Sequence, residues 1–243
     1  SFGDNHMGEY AEYTAEKAGV TREDQDAFAL ASHQKAVAAQ QSGKFEAEIV
    51  PVEVPGRKGP TVVTADESPR ADTSLEALGA LRPAFVKGGT VTAGNAPGLN
   101  DGAAATIVTS LAFAKAQGLA PIARVTGYAV AGGEPKDLFF APIQAVRNLM
   151  QKSGTAIGDY DLIEANEAFA VQALADGREL GWDWDRVNVH GGAIALGHPI
   201  GASGARVLAT LLHAMRDRGA GTGLATLCLG GGNAVALSVS REV

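Results

Sequence analysis

The sequence predicts a mixed α/β protein, and three observations carry that expectation. From Asn100 onward, apolar runs of strand length alternate with longer stretches of helical length. The 243 residues are 46% hydrophobic and 19% charged, the balance of an ordinary globule long enough to bury a core. Glycine is abundant at 31 residues and aromatics reach only 6%, so tight turns and close backbone approaches are expected.

Taken in order, residues 7–19 read as a helix, followed by a stronger one that Thr21 caps. Thr21-Arg22-Glu23-Asp24 has the form of a capping box, and its acids suit the positive end of the helix dipole. Phe28, Leu30, Ala31 and Val37 are the expected apolar face, and Gly43 ends the run. Residues 48–54 alternate like a strand, 55–60 form a basic turn, and 61–64 form a second short strand. An acidic loop ending in Ser68-Pro69-Arg70 leads to a short helix over 74–81. Residues 102–110 read as a buried strand and 111–118 as a helix. Strands are expected over 124–130, 161–164, 187–190, 224–229 and 234–240, with helices over 142–153, 168–180 and 202–218. The last two strands are joined by the Gly230-Gly231-Gly232 turn.

Composition excludes several function classes. A net charge of −7 argues against general nucleic-acid or membrane-surface binding. The single cysteine allows no intrachain disulfide and suits a reducing, cytoplasmic setting. No stretch reads as a membrane span or signal peptide, and one cysteine with five scattered histidines gives no metal-ligand spacing. The chain starts at Ser1 without an initiator Met, which suggests a fragment; as an N-terminal nucleophile Ser1 has only its position to recommend it.

Three polar clusters set in glycine carry the chemistry. Cys228 ends a strand and precedes three glycines, which strip side chains from the turn so that a ligand can approach the thiol and backbone N–H groups can face an anion. A thiol so placed moves a proton or attacks a carbonyl if its pKa is lowered; a buried, inert cysteine is the plainer reading. His198, between Gly197 and Pro199, is expected at a helix N-terminus, where the dipole favours neutral imidazole. Asn166 and Glu167 fall at a strand-to-helix junction, where either could cap the helix, and Asn166 could instead orient a catalytic water. The run from Gly197 to Gly204 matches neither a dinucleotide fingerprint nor a Walker loop. Ser203 lacks the frame of a hydrolase nucleophile, although His190-Gly191-Gly192 is similar to a lipase oxyanion segment.

Together these motifs resemble the thiolases, the acetyl-CoA C-acyltransferases. The resemblance rests on the run from Val187 to Arg206, on Asn166-Glu167-Ala168-Phe169-Ala170 and on Cys228-Leu229-Gly230-Gly231-Gly232. Upstream, His6-Met7-Gly8, Leu81-Arg82-Pro83-Ala84-Phe85 and Thr92-Ala93-Gly94-Asn95-Ala96 fit the same family in the right order. The resemblance implies a layered α-β-α-β-α fold of two similar halves with an inserted loop domain. Residues 1–99 would be most of that loop domain, 100–120 the closing strand and helix of the N-terminal half, and 121–243 the C-terminal half.

It also implies a function and its parts. The reaction would be Claisen condensation of acetyl-CoA, or thiolysis of a 3-ketoacyl-CoA, with coenzyme A thioesters as substrates and no tightly bound cofactor. Cys228 would be the acid/base, His198 the base and oxyanion donor, Asn166 the holder of a water, and the Gly230 N–H part of a second oxyanion hole. Arg70, Met7, Ala93, Gly94, Ala168 and Phe169 resemble coenzyme A contacts, and Arg57 and Lys58 could add positive charge. Pro97 stands where many relatives carry a pantetheine-binding serine, and His190 where some carry Asn. The family's nucleophilic cysteine would lie in an absent N-terminal half, on a separate or cleaved chain. This chain alone would then be inactive, with a large apolar face exposed, and the complete enzyme a homo-oligomer. A non-catalytic partner half and a β-ketoacyl synthase-like enzyme are the alternatives; Cys228 argues against the second.

Overall fold

The computed structural model describes residues 4–242; the expectation for Ser1 lies outside them. The helices are α1 (Met7–Ala18), α2 (Arg22–Gln41), α3 (Leu75–Gly79), α4 (Leu111–Ala116), α5 (Ala141–Ser153), α6 (Ala170–Leu180), α7 (Ala193–Leu196) and α8 (Ser203–Arg218). The strands are β1 (Val52–Val54), β2 (Thr61–Val63), β3 (Arg124–Gly132), β4 (Leu162–Ala165), β5 (Thr222–Leu229) and β6 (Asn233–Ser240).

The main sheet has the order β3-β6-β5-β4, antiparallel except for the parallel β4–β5 pair. Strand alternation decides which helix covers which face. On β4 and β5, Ile163 and Leu224 join Val146 and Leu149 of α5, whereas Leu162 and Ala225 join Val207 and Leu211 of α8. The two helices therefore cover opposite faces, giving a helix–sheet–helix stack. At Gly223 a Cβ would lie 2.5 Å from Met215 Sδ, so glycine permits the close seating of α8 on β5.

Local chemistry sets the helix ends. Thr21 and Asp24 exchange the two bonds of a capping box at 3.1 Å each, as the sequence predicts. The face that α2 buries differs from the predicted one. Ala29, Ser32, Ala36 and Ala39 are buried, with Gln25 and Asp26, while Phe28, Leu30, Ala31 and Val37 are only partly covered. The reason is what lies opposite: α2 packs on α6 and α7, and it meets the buried polar groups of Glu167 and Asn95 there.

Two predicted strands are corrected. Residues 102–110 form no regular element and are exposed, with Ile107 at 92%: the apolar run is present, but no described strand pairs with it. Residues 187–190 make one bridge, Ile163 to Val187, and Asn188 then breaks the extended path with φ 45°. In its place the Asn188 side chain pairs with the backbone of Ala165, Oδ1 accepting from its N–H at 2.9 Å and Nδ2 donating to its carbonyl at 2.8 Å. The predicted strand over 48–54 shortens to β1, since residues 42–48 turn back after α2.

Candidate active site

Parallel pairing of β4 with β5 brings the polar clusters together. Ala165 lies opposite Thr226, and Asn166 extends the ladder by donating its N–H to the Thr226 carbonyl at 3.0 Å. Cys228 follows two residues later on β5, opposite Ala234. Beyond it, Gly231 and Gly232 take φ of 81° and 85°, which lets the chain reverse in three residues before β6 starts at Asn233.

Glu167 fixes the framework beneath the site and does not cap α6, whose cap residue is Phe169. Its buried carboxylate accepts from Ser32 Oγ at 2.7 Å, Asn188 Nδ2 at 2.8 Å and the Ile194 N–H at 3.0 Å. Ser32 Oγ in turn accepts from the Gly192 N–H at 3.1 Å. A side chain at Gly192 would collide with that carboxylate, which explains a glycine at this position. Burial still raises the Glu167 pKa against these bonds.

His198 is held on three sides. Its N–H donates to Asn100 Oδ1 at 3.2 Å, its Nδ1 lies 2.6 Å from Ser203 Oγ, and its Nε2 lies 3.5 Å from Asn166 Nδ2. The helix starts at Ser203, within one residue of the predicted 202–218, and because residues 199–202 form a turn first, His198 stands a turn ahead of it. The imidazole pKa is lowered, by burial first and then by the Arg206 guanidinium. The neutral form that the sequence predicts is therefore favoured, for a reason other than the helix dipole.

Cys228 is partly buried against an apolar cluster that includes Leu138, Phe139, Ala168 and Phe169. Burial pushes its thiol up to about 12, with a smaller upward push from Asp176. Asp176 is itself wholly buried, which raises its own carboxyl well above the usual range, and burial is the leading cause for both groups. The thiol is thus a held proton, the opposite of the lowered pKa that a free nucleophile needs.

The remaining candidates are spread more widely. Ala168 and Phe169 are buried beside Cys228, and Phe169 meets Phe85 and Phe139 edge-on. Ala93 is exposed and Gly94 partly buried on a loop that Asn95 ties to α6, its carbonyl accepting from the Ala170 N–H at 3.0 Å. Met7 is 44% exposed at the start of α1. Arg70 is exposed elsewhere, its N–H donating to His33 Nδ1 at 3.2 Å. Gly230 is exposed, and its carbonyl accepts from Asn233 Nδ2 at 3.1 Å. His190, buried at 5%, packs edge-on to Phe45, and its Nε2 lies 3.9 Å from Asp217.

Sequence reasoning missed Asn100 as a brace for His198 and Ser203 as its neighbour. It also missed a buried cluster in which Arg206 Nη1 lies 3.7 Å from Glu164 Oε2 while Glu48 accepts from Thr210 Oγ1 at 3.1 Å. The Asn100–His198 and Glu48–Thr210 contacts span 98 and 162 residues, a separation that short spacing does not encode.

Comparison with known proteins shows the family. Residues 119–241 match the family described as thiolase, C-terminal domain, and residues 1–112 match thiolase, N-terminal domain. The chain belongs to the thiolase family. Acetyl-CoA acetyltransferase of Pseudomonas aeruginosa is 60% identical over 243 residues, which are 100% of this chain and 62% of that protein. Its counterpart in Escherichia coli is 56% identical, with 97% of this chain and 60% of that protein covered. The crystal structure of the Bacillus anthracis acetyl-CoA acetyltransferase superposes with TM-score 0.95 at 47% identity, covering 97% of this chain and 60% of the other. Human mitochondrial 3-ketoacyl-CoA thiolase gives TM-score 0.90 at 40% identity, covering 96% and 59%. This thiolase chain therefore has the layered α/β fold of its family and spans about three fifths of the length of these relatives.

Proposed function

We propose that this chain supplies the acid/base and oxyanion groups of a thiolase-type acyltransferase. It would act on acetyl-CoA and 3-ketoacyl-CoA, with a nucleophilic cysteine provided by an N-terminal segment. The observation that carries the reading is the contact of His198 with Asn166, one ladder position from Thr226 on the strand that carries Cys228 near its end. The names of its relatives support the substrate class.

In thiolysis the supplied thiolate attacks the 3-keto carbonyl, after His198 Nε2 has taken its proton. The C2–C3 bond breaks, leaving an acyl-enzyme and the enolate of acetyl-CoA, and Cys228 gives that carbon its thiol proton. Coenzyme A thiol then gives its proton to the Cys228 thiolate and attacks the acyl-enzyme. The shortened thioester is released, and the supplied cysteine leaves as a thiolate that takes back the proton held on His198. A thiol held near 12 suits this work, since it keeps its proton until a strong carbon base takes it. His198, with a water on Asn166, would donate to the enolate oxygen, and the Gly230 N–H to the oxygen of the acyl-enzyme. Met7, Arg70, Ala93, Gly94, Ala168 and Phe169 would line the coenzyme A path. In this reading residues 1–99 are the loop domain, 100–120 close the N-terminal half and 121–243 form the C-terminal half.

Exposed apolar side chains support a partner segment. Leu99, Ile107, Val108, Tyr128 and Val130 are each more than 60% exposed, a surface that water disfavours. The test is co-expression with the part of the Pseudomonas aeruginosa relative that lies outside the matched region. Acetoacetyl-CoA thiolysis by the purified pair is expected, and none by the chain alone. A stable pair without turnover would leave a structural role and overturn the catalytic one.

A further inference from the structure

Beyond the groups that meet substrate, we infer that Ser203 is a positioning residue for His198, holding the imidazole as the Nδ1–H tautomer with Nε2 bare toward Asn166. The inference deepens the proposed function and rests on His198 as its base, but it stands on a chain of contacts that needs no substrate.

The argument is a count of protons. Ser203 is wholly buried, and its hydroxyl has one proton to give. Its Oγ lies 2.6 Å from His198 Nδ1 and 3.0 Å from the Pro199 carbonyl. A carbonyl only accepts, so the proton goes to Pro199, and Nδ1 must then supply the proton in the shorter contact. A neutral imidazole has a single N–H, so Nε2 is left with a lone pair. Facing it at 3.5 Å is Asn166 Nδ2, which only donates. Three contacts are thus satisfied in one direction: Asn166 to Nε2, Nδ1 to Ser203, Ser203 to Pro199. Reversing them empties the Ser203–Pro199 contact and sets two donors face to face at Nε2. The Pro199 carbonyl also accepts from the Ala202 and Ser203 N–H groups, each at 2.8 Å, which fixes the turn carrying both residues.

The consequence is chemical. Nε2 is ready to accept a proton with no change of tautomer, and the imidazolium that forms keeps both other bonds. Ser203 is neutral and Arg206 lies nearby, so no carboxylate traps that proton and His198 returns it readily.

The test reads the tautomer directly. In the chain labelled with 15N-histidine at a pH where His198 is neutral, its resonances are assigned by their loss in His198→Gln. A pyrrole-type Nδ1 and a pyridine-type Nε2 are expected. Ser203→Ala should turn this single form into a mixture with Nε2–H, and Ser203→Thr should restore it. In the co-expressed pair, Ser203→Ala should lower kcat by about 10- to 100-fold with little change in KM, the scale for losing a group that orients a working imidazole. Dominant Nε2–H in the unaltered chain, or an unchanged tautomer in Ser203→Ala, would overturn the inference. The tautomer of the unaltered chain decides the matter even if a variant fails to fold. It does so whether or not the pair turns over, so the inference and the proposed function fail separately.

Discussion

Arg206 Nη1 lies 3.7 Å from Glu164 Oε2, with the carboxylate side chain 2% exposed and both its oxygens free of hydrogen bonds among the described residues. Arg206 draws the carboxyl down, but burial outweighs it and raises Glu164 to about 8; Glu48 is raised to about 7 for the same reason. Both acids thus bind protons more tightly folded than unfolded. Their stabilising effect is complete below about pH 4.5 and is lost as the pH rises through the folded values. Stability should fall between these limits by up to about 1.4 kcal/mol per pH unit for each acid. Glu164→Gln should flatten the slope in urea titrations at pH 5, 7 and 8.5. Equal slopes in the two proteins would contradict this account.

Cys228 offers a direct chemical check. With its thiol near 12, iodoacetamide should alkylate the folded chain at pH 8 at least about a hundredfold more slowly than the urea-unfolded chain. The folded rate should still be climbing at pH 10. A folded rate equal to the unfolded one would mean that burial does not govern this thiol.

The Ser32–Glu167–Gly192 contact joins α2 to the glycine run ahead of His198. Ser32→Ala leaves the Gly192 N–H unpaired and takes one donor from a buried carboxylate, at a cost of about 1–3 kcal/mol. Gly192→Ala drives a methyl into the carboxylate and should cost at least about as much as overpacking a core, roughly 1–3 kcal/mol. Denaturant midpoints measure both. A Gly192→Ala chain as stable as its parent would show that Glu167 moves aside freely.

For the proposed chemistry, Cys228→Ala and His198→Ala in the co-expressed pair should each reduce kcat by about 10²- to 10⁴-fold, the range for a lost general acid or base. Circular dichroism should stay unchanged. Near-normal turnover in both variants would remove the roles assigned to them.

Much of this was legible in the sequence, because local chemistry writes the local structure. The Thr21 box, the glycine that ends α1 and the glycine turn between β5 and β6 each depend on neighbours a few residues away. The glycine-set clusters also marked the site, since few other uses require a histidine, a thiol and an amide in such surroundings. The misreadings share one cause. Residues 102–110 have the composition of a buried strand without a described partner, and residues 187–190 are displaced by the side chain of Asn188. Pairing is a long-range property that an apolar run does not encode.

By itself the sequence determined the family and the order of most elements and singled out the candidate residues, because those follow from residue type and short spacing. Tertiary structure alone decided their state. Parallel seating of β4 on β5 sets Asn166 against His198, Ser203 fixes which nitrogen of that ring is bare, and burial holds the proton on the Cys228 thiol. Electrostatics and hydrogen-bond direction depend on what surrounds a group in space, and those surroundings come from segments far apart in the chain.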